Sequence, residues 1–261
     1  MKEKIKTICQ DIEKEHNVKI LFAVENGSRA WRLQSQDSDY DVRFVFVRPL
    51  AEYFQIHTPK DVINAGYDEN FNKCRVEDAV IDFSGFDIIK FVRLLSKSNP
   101  TSVEWLTSDI VYYGKQNEMF KEFACNNFSE PSLYYHYKSL CRNNYLKYIK
   151  SGNDITYKRY LYAMRGLINA SWVIKNHSVP PIIFTDAVKG IDNIPNPVVQ
   201  KLLKIIEIKS LGKEKNRIKR ISSLDEYIEA FLEDELKLPK KLNPHLDELN
   251  NELRRIILNQ Y

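Results

Sequence analysis

Two aspartates one residue apart, Asp39 and Asp41, follow the pair Gly27-Ser28 after ten intervening residues and open the run Val42 to Val47. That run is β-branched and aromatic, so it reads as a strand. Side chains at i and i+2 of a strand share a face, and Asp39, Asp41 and Arg43 are therefore expected to point the same way. Two carboxylates held so close repel unless a cation sits between them. With oxygen ligands alone, the expected ion is Mg²⁺ or Mn²⁺. The preceding run, Lys19 to Glu25, predicts a second strand, which Gly27-Ser28 ends before a short helical turn over Arg29 to Leu33. A glycine there lets backbone N–H groups approach an anion, and a helix N-terminus adds favourable polarity. The stretch thus predicts a cation site beside an anion site; the alternative is a solvated aspartate pair next to an ordinary turn.

A third acid lies further on. Val76 to Phe83 looks extended and ends Ala79-Val80-Ile81-Asp82-Phe83. An acid in an apolar β run is costly to bury unless it is compensated, so Asp82 is the candidate third metal carboxylate. An exposed place on an edge strand is its other reading.

Strand, Gly-Ser, short helix, loop and Asp-x-Asp on the next strand resembles the polymerase-β-like nucleotidyltransferases, on Gly27, Ser28, Asp39 and Asp41. More narrowly, Trp31, Ser35, the run Ser38 to Phe44, Asp82, Asp87 with Lys90, Asn99-Pro100, Glu104-Trp105-Leu106, Lys158-x-Tyr160-x-Tyr162-x-x-Arg165 and Pro180-Pro181 resemble the predicted nucleotidyltransferases of the RNA-repair-pathway polymerase-β family. The resemblance spans most of residues 20–185 and fades beyond. It implies transfer of a nucleoside monophosphate from an NTP, with two divalent ions held by Asp39, Asp41 and Asp82, which also serve catalysis. It also implies a triphosphate seated on Gly27 and Ser28, with Ser38 and Arg43 among the nucleotide-binding residues. Two departures stand out: Arg32 occupies a position where the family pattern has glycine, and Phe86 one where a tryptophan is expected.

The Lys158 to Arg165 segment has a reading of its own. On a helix Lys158, Tyr162 and Arg165 follow i, i+4, i+7 and share a face. Two cations flanking an aromatic suit phosphate contact and base stacking; a surface stripe with its tyrosine packed on the core is the alternative.

The elements around these residues divide the chain. Lys2 to Asn17 predicts an amphipathic helix with Ile5, Ile8, Cys9 and Ile12 on one face. Strands and short helices follow, with Asp87 placed as a helix N-cap and Ile110 to Tyr113 as a last small strand. From Ser132 the pattern is helical, over 132–150, 156–175, 197–211, 223–236 and 244–259. The expected fold class is α+β: a mixed-sheet nucleotidyltransferase domain over residues 1–114, then an all-helical domain over 115–261, with the nucleotide between them.

With 261 residues, 43% of them hydrophobic, the chain can bury a sizeable core and is not disordered. No run approaches a membrane span, and Cys9, Cys74, Cys125 and Cys141 lack zinc or disulfide spacing, which points to a reducing cytoplasm. The net charge of +4 is uneven: residues 1–114 carry 15 Lys+Arg against 18 Asp+Glu, and the remainder 24 against 17. That asymmetry suits a polyanion such as a nucleotide or RNA, or else a solvated helical surface. RNA is the expected acceptor; a protein hydroxyl, a small molecule and a nucleotide-sensing module without catalysis are the alternatives.

Overall fold

Helix α1 (Lys2–His16) buries Ile5, Ile8, Cys9 and Ile12, the i, i+3, i+4, i+7 stripe that its sequence sets out. Asn17 ends it in the left-handed conformation, at φ 49°. The computed structural model describes residues 1–57, 59–192, 194–213, 215–239 and 245–259. After α1 come β1 (Lys19–Asn26), α2 (Gly27–Ala30), β2 (Tyr40–Val47), β3 (Val62–Tyr67), β4 (Lys73–Cys74), β5 (Ile81–Asp87), α3 (Ile88–Leu95), α4 (Pro100–Thr107), β6 (Val111–Gly114) and α5 (Glu118–Asn126). The strands form one six-stranded sheet in the order β4-β3-β5-β2-β1-β6. Only β2 and β5 pair in parallel among the described strands.

Alternation along β2 decides what each face of the sheet does. Val42, Phe44 and Phe46 are fully buried in a core they share with α1, Ile81, Phe83, Ile63 and Tyr67. Asp41 and Arg43 therefore belong to the opposite face. That face is sealed further along by aromatic packing: Phe86 lies 4.6 Å from Trp105, and Phe91 lies 5.8 Å from Phe22. Asp87 caps α3 as expected, its side chain accepting from the Ile89 N–H at 2.9 Å. β5 departs from expectation, because Ser84-Gly85-Phe86 continues the strand while Val76–Asp78 is a turn of 3-10 helix.

The second compact unit is helical. It comprises α6 (Glu130–Asn144), which runs into a π-helical turn at Tyr145–Lys150, then α7 (Tyr157–Asn176), α8 (Phe184–Lys189), α9 (Asn196–Ser210) and α10 (Ser222–Glu233). Its only β pairing among the described residues is the single bridge Thr156–Arg217. A buried polar cluster ties α7 to α10: the Tyr160 hydroxyl donates to Asp225 at 2.8 Å and accepts from the Ile221 N–H at 2.9 Å. Arg220 meets the other oxygen of Asp225 at 2.8 Å.

The units do not follow a single boundary at residue 114. α5 stays with the sheet, the segment Trp31–Ser38 belongs to the helical unit, and helix α11 (Leu246–Leu258) returns to the first unit. There Glu252 on α11 takes a hydrogen bond from Asn117 at the start of α5. Of the helix expected over 244–259, residue 244 lies outside the described residues.

Gly166 on α7 sets how closely α6 can approach. A Cβ at that position would lie 2.6 Å from the Cys141 nitrogen and 2.7 Å from the Tyr137 carbonyl oxygen. Gly166→Ala should therefore cost about 1–3 kcal/mol from overpacking, despite alanine's better helix propensity of about 1 kcal/mol. Chemical denaturation would measure it, and an unchanged or raised stability would refute the close packing.

Candidate active site

Strand register assembles the site. β1 pairs with β2 so that Asn26 stands opposite Asp41, and β2 pairs with β5 so that Asp41 stands beside Asp82. Directly opposed residues share a face, so Asn26, Asp41 and Asp82 make one row across three strands. In the next row Arg43 stands beside Ser84, whose hydroxyl donates to Asn64 on β3 at 2.8 Å.

Arg43 joins the rows. One guanidinium nitrogen lies 2.9 Å from Asp41 Oδ1 and 2.8 Å from Asp82 Oδ2, and the other donates to the Asp82 carbonyl at 3.0 Å. Asp41 and Asp82 thus converge on one cation, and in this structure the cation is the protein's own. A guanidinium suits that place, because its donors are fixed in a plane and match two carboxylates at once.

Gly27 lies against the same carboxylate. Its φ is +63°, and a Cβ there would sit 2.1 Å from Asp41 Oδ2. Only glycine combines that backbone conformation with that approach. The Asn26 Oδ1 atom is buried with no hydrogen-bond partner among the described residues, a further hard oxygen in the row. Two carboxylates and an unsatisfied amide oxygen fit a divalent ion of the Mg²⁺ or Mn²⁺ kind.

Asp39 differs from the other two acids. It is exposed and precedes β2, and its carbonyl accepts from Arg29 Nε at 3.1 Å. Among the described residues no three His, Cys, Asp or Glu side chains stand grouped closely enough to hold an ion. The structure therefore brings together Asp41, Asp82 and Arg43, with Gly27 against them, and leaves the Asp39 carboxylate outside the cluster. Ser28 is half-buried one residue beyond Gly27.

The remaining candidates lie in the helical unit. Ser38 and Ser35 share a hydroxyl–hydroxyl hydrogen bond of 2.9 Å, and the Ser35 N–H donates to Ser38 Oγ at 2.9 Å. Lys158, Tyr162 and Arg165 lie along α7 as expected, and Trp31 packs against that face. The Arg165 guanidinium lies 3.6 Å from the Trp31 ring centroid, and Tyr162 meets Trp31 edge-on at 5.8 Å. The π face helps to hold a buried arginine, since it supplies electron density where water is excluded.

Sequence reasoning missed Glu25. It is wholly buried on β1, and its carboxylate accepts the Asp41 N–H at 2.8 Å and the Tyr112 hydroxyl. Burial pushes its carboxyl up to about 7 against the pull of those hydrogen bonds, and the Asp41 charge adds to the rise. The signal was the one that picked out Asp82, an acid inside an apolar β run.

A mixed sheet with Gly27 against strand-borne carboxylates is the arrangement expected of a polymerase-β-like nucleotidyltransferase. The chain belongs to RlaP, the RNA repair pathway DNA polymerase beta family, whose model matches residues 1–255. An uncharacterised protein of Bacillus subtilis (strain 168), YcgL, is 34% identical over 261 residues, covering 99% of this chain and 96% of that protein. The crystal structure of a nucleotidyltransferase-like protein from Exiguobacterium sibiricum 255-15 covers 97% of this chain and 88% of its own at 15% identity and a TM-score of 0.31. That likeness is too distant to bear on the fold.

Two outcomes follow from this geometry. Arg43→Ala leaves two carboxylates facing each other without a cation, so the variant should bind Mn²⁺ about tenfold or more tightly than the wild type, a difference of about 1.4 kcal/mol. Isothermal titration checks this, and equal or weaker affinity would remove Arg43 from the cation position.

Glu25 has a folded-state pKa above its unfolded value, so the folded protein holds the proton more firmly. Its contribution to stability is present below about pH 4.5 and is lost as the pH rises toward about 7. Each pH unit of that window is worth about 1.4 kcal/mol. In metal-free buffer Glu25→Gln should match the wild type near the bottom of this window and exceed it in stability above the top. Parallel stability curves for the two proteins across the window would contradict the assignment.

Proposed function

We propose that this protein transfers a nucleoside monophosphate from an NTP to an acceptor hydroxyl, releasing pyrophosphate, and that the acceptor is RNA. The observation that supports the chemistry best is the row Asn26, Asp41 and Asp82, with the Gly27 backbone against Asp41. The RNA acceptor is supported by the family's description and by the excess of Lys and Arg beyond residue 114.

In this reading Asp39, which lies outside the cluster in this structure, would join Asp41 and Asp82 in holding two divalent ions, Mg²⁺ or Mn²⁺. Such ions, when bound, polarise the α-phosphate and stabilise the attacking and leaving oxygens. The Gly27 and Ser28 backbone receives the β and γ phosphates. Arg43 exchanges its carboxylate partners for the triphosphate, and Ser38, Lys158, Tyr162 and Arg165 supply the remaining nucleotide contacts. Asp82 takes the proton as the acceptor hydroxyl oxygen bonds to the α-phosphorus. The bond from that phosphorus to the bridging oxygen breaks, and pyrophosphate leaves with the electron pair. Positioning and charge neutralisation carry most of the rate in such transfers.

The test incubates the full chain with each α-labelled NTP, Mg²⁺ or Mn²⁺, and pools of RNA, protein and small molecules. Label should enter RNA, and Asp41→Asn and Asp82→Asn should each lower the rate at least about a hundredfold. Lys158→Ala should weaken NTP binding about tenfold, the loss of one charge-assisted contact. Label in protein or a small molecule would replace RNA as the acceptor. NTP binding without transfer to any pool would leave a nucleotide-sensing module instead of an enzyme.

A further inference from the structure

Beyond the other end of β2, away from the carboxylate row, lies a cavity of about 330 Å³ with a charge character of its own. Asp41 is the second residue of β2 and Arg48 the first after it, so at about 3.3 Å per residue the two sites stand roughly 20 Å apart along the strand. Arg48, Lys60, Lys90 and Arg93 line the cavity, against two acids, Asp61 and Asp87.

The acids are already engaged. Asp87 Oδ1 accepts the Ile89 N–H at 2.9 Å, and Oδ2 accepts the Tyr53 hydroxyl at 2.9 Å. Burial also raises the Asp87 pKa, which disfavours its charged form. Asp61 is exposed and pairs with Lys90 at 3.0 Å. Arg48 is anchored by Glu52 at 3.1 Å and by the Lys60 carbonyl at 2.9 Å. Its Nε atom is buried with no hydrogen-bond partner among the described residues.

Two cations remain. Neither Lys60 Nζ nor the Arg93 guanidinium has a side-chain hydrogen bond or ion pair among the described residues. They come from different elements, the connection before β3 and helix α3, and line the same cavity. A guanidinium on one wall and an ammonium on another, with the anchored Arg48 lining the same cavity, form an anion receptor. The volume lies at the lower end of small-ligand sites, roughly 300–1,000 Å³.

We propose that this cavity binds a phosphate monoester of nucleoside-monophosphate size, held by Lys60, Arg93 and Arg48, at a site separate from the Asp41–Asp82 row. The assignment does not depend on the transfer reaction.

Isothermal titration of the full chain in EDTA, with inorganic phosphate and with a nucleoside 5′-monophosphate as probes, tests it. Both probes should bind at millimolar concentration or below. Tighter binding of the nucleotide assigns the whole cavity to it, and equal affinity assigns the phosphate group alone. The double variant Lys60→Ala/Arg93→Ala, which alters two exposed side chains, should lose about tenfold or more in affinity for either probe. Failure of both probes to bind would overturn the proposal. So would wild-type affinity in the double variant, which would place the ligand elsewhere.

Discussion

The parallel pairing of β2 with β5 is the constraint on which the rest of the site depends. It sets Asp41 beside Asp82, and at that separation two carboxylates repel through a medium poorer in water than the bulk. A guanidinium lies across both and offsets that repulsion, with contacts of 2.9 and 2.8 Å. Other features serve the same arrangement. The missing Cβ of Gly27 leaves space for Asp41 Oδ2. The apolar residues alternating with Asp41 and Arg43 fix β2 against α1, so the strand cannot slip by one residue without turning Phe44 and Phe46 out of the core. The electrostatic cost at the site is thereby carried by hydrophobic burial on the reverse of the sheet.

The residue types of the site could be read without coordinates, because Asp-x-Asp on a strand and a glycine before it have few other uses. Their partners could not. Register is a property of two strands, and nothing local to Asp41 or Asp82 states that they are neighbours. The extent of β5 was misread for a physical reason. Ser84-Gly85 looks like a loop, but Gly85 lies under Phe44, whose ring a Cβ would meet at 2.1 Å. A glycine inside a strand can mark close approach instead of a break. Asp39 is grouped with Asp41 by i, i+2 spacing and by the family resemblance, yet it stands just before the strand begins, where alternation no longer dictates direction.

The helical unit was legible in its periodicity and less so in its limits. Lys158, Tyr162 and Arg165 do share one helix, as 3.6-residue spacing requires. What that face meets is Trp31, from a segment far away in sequence that joins this unit rather than the sheet. A boundary drawn from the change of strand to helix pattern assumes that each unit is continuous in the chain. Here the chain leaves the sheet after the Gly-Ser turn and returns at the Asp-x-Asp motif, and α11 comes back at the end. Both excursions are set by tertiary packing, which local patterns do not encode.

Glu25 carries the argument one step further. An acid in an apolar strand is expensive unless something compensates it, and this rule selected Asp82, whose compensation is Arg43. Glu25 satisfies the same condition more severely, since it is wholly buried, but its compensation is different in kind. It takes hydrogen bonds from a backbone N–H and a phenol, and the Arg29 charge is the smallest of the influences on it. Neutral donors stabilise a carboxylate less than a cation does, which is why burial prevails and its pKa rises to about 7. The two acids flank one strand, and the acceptor that satisfies the Asp41 N–H is the Glu25 side chain instead of a neighbouring carbonyl. A backbone position held by a titratable group differs from one held by a ladder bond. Its acceptor changes character when the proton arrives, and the side chain fastened there is Asp41.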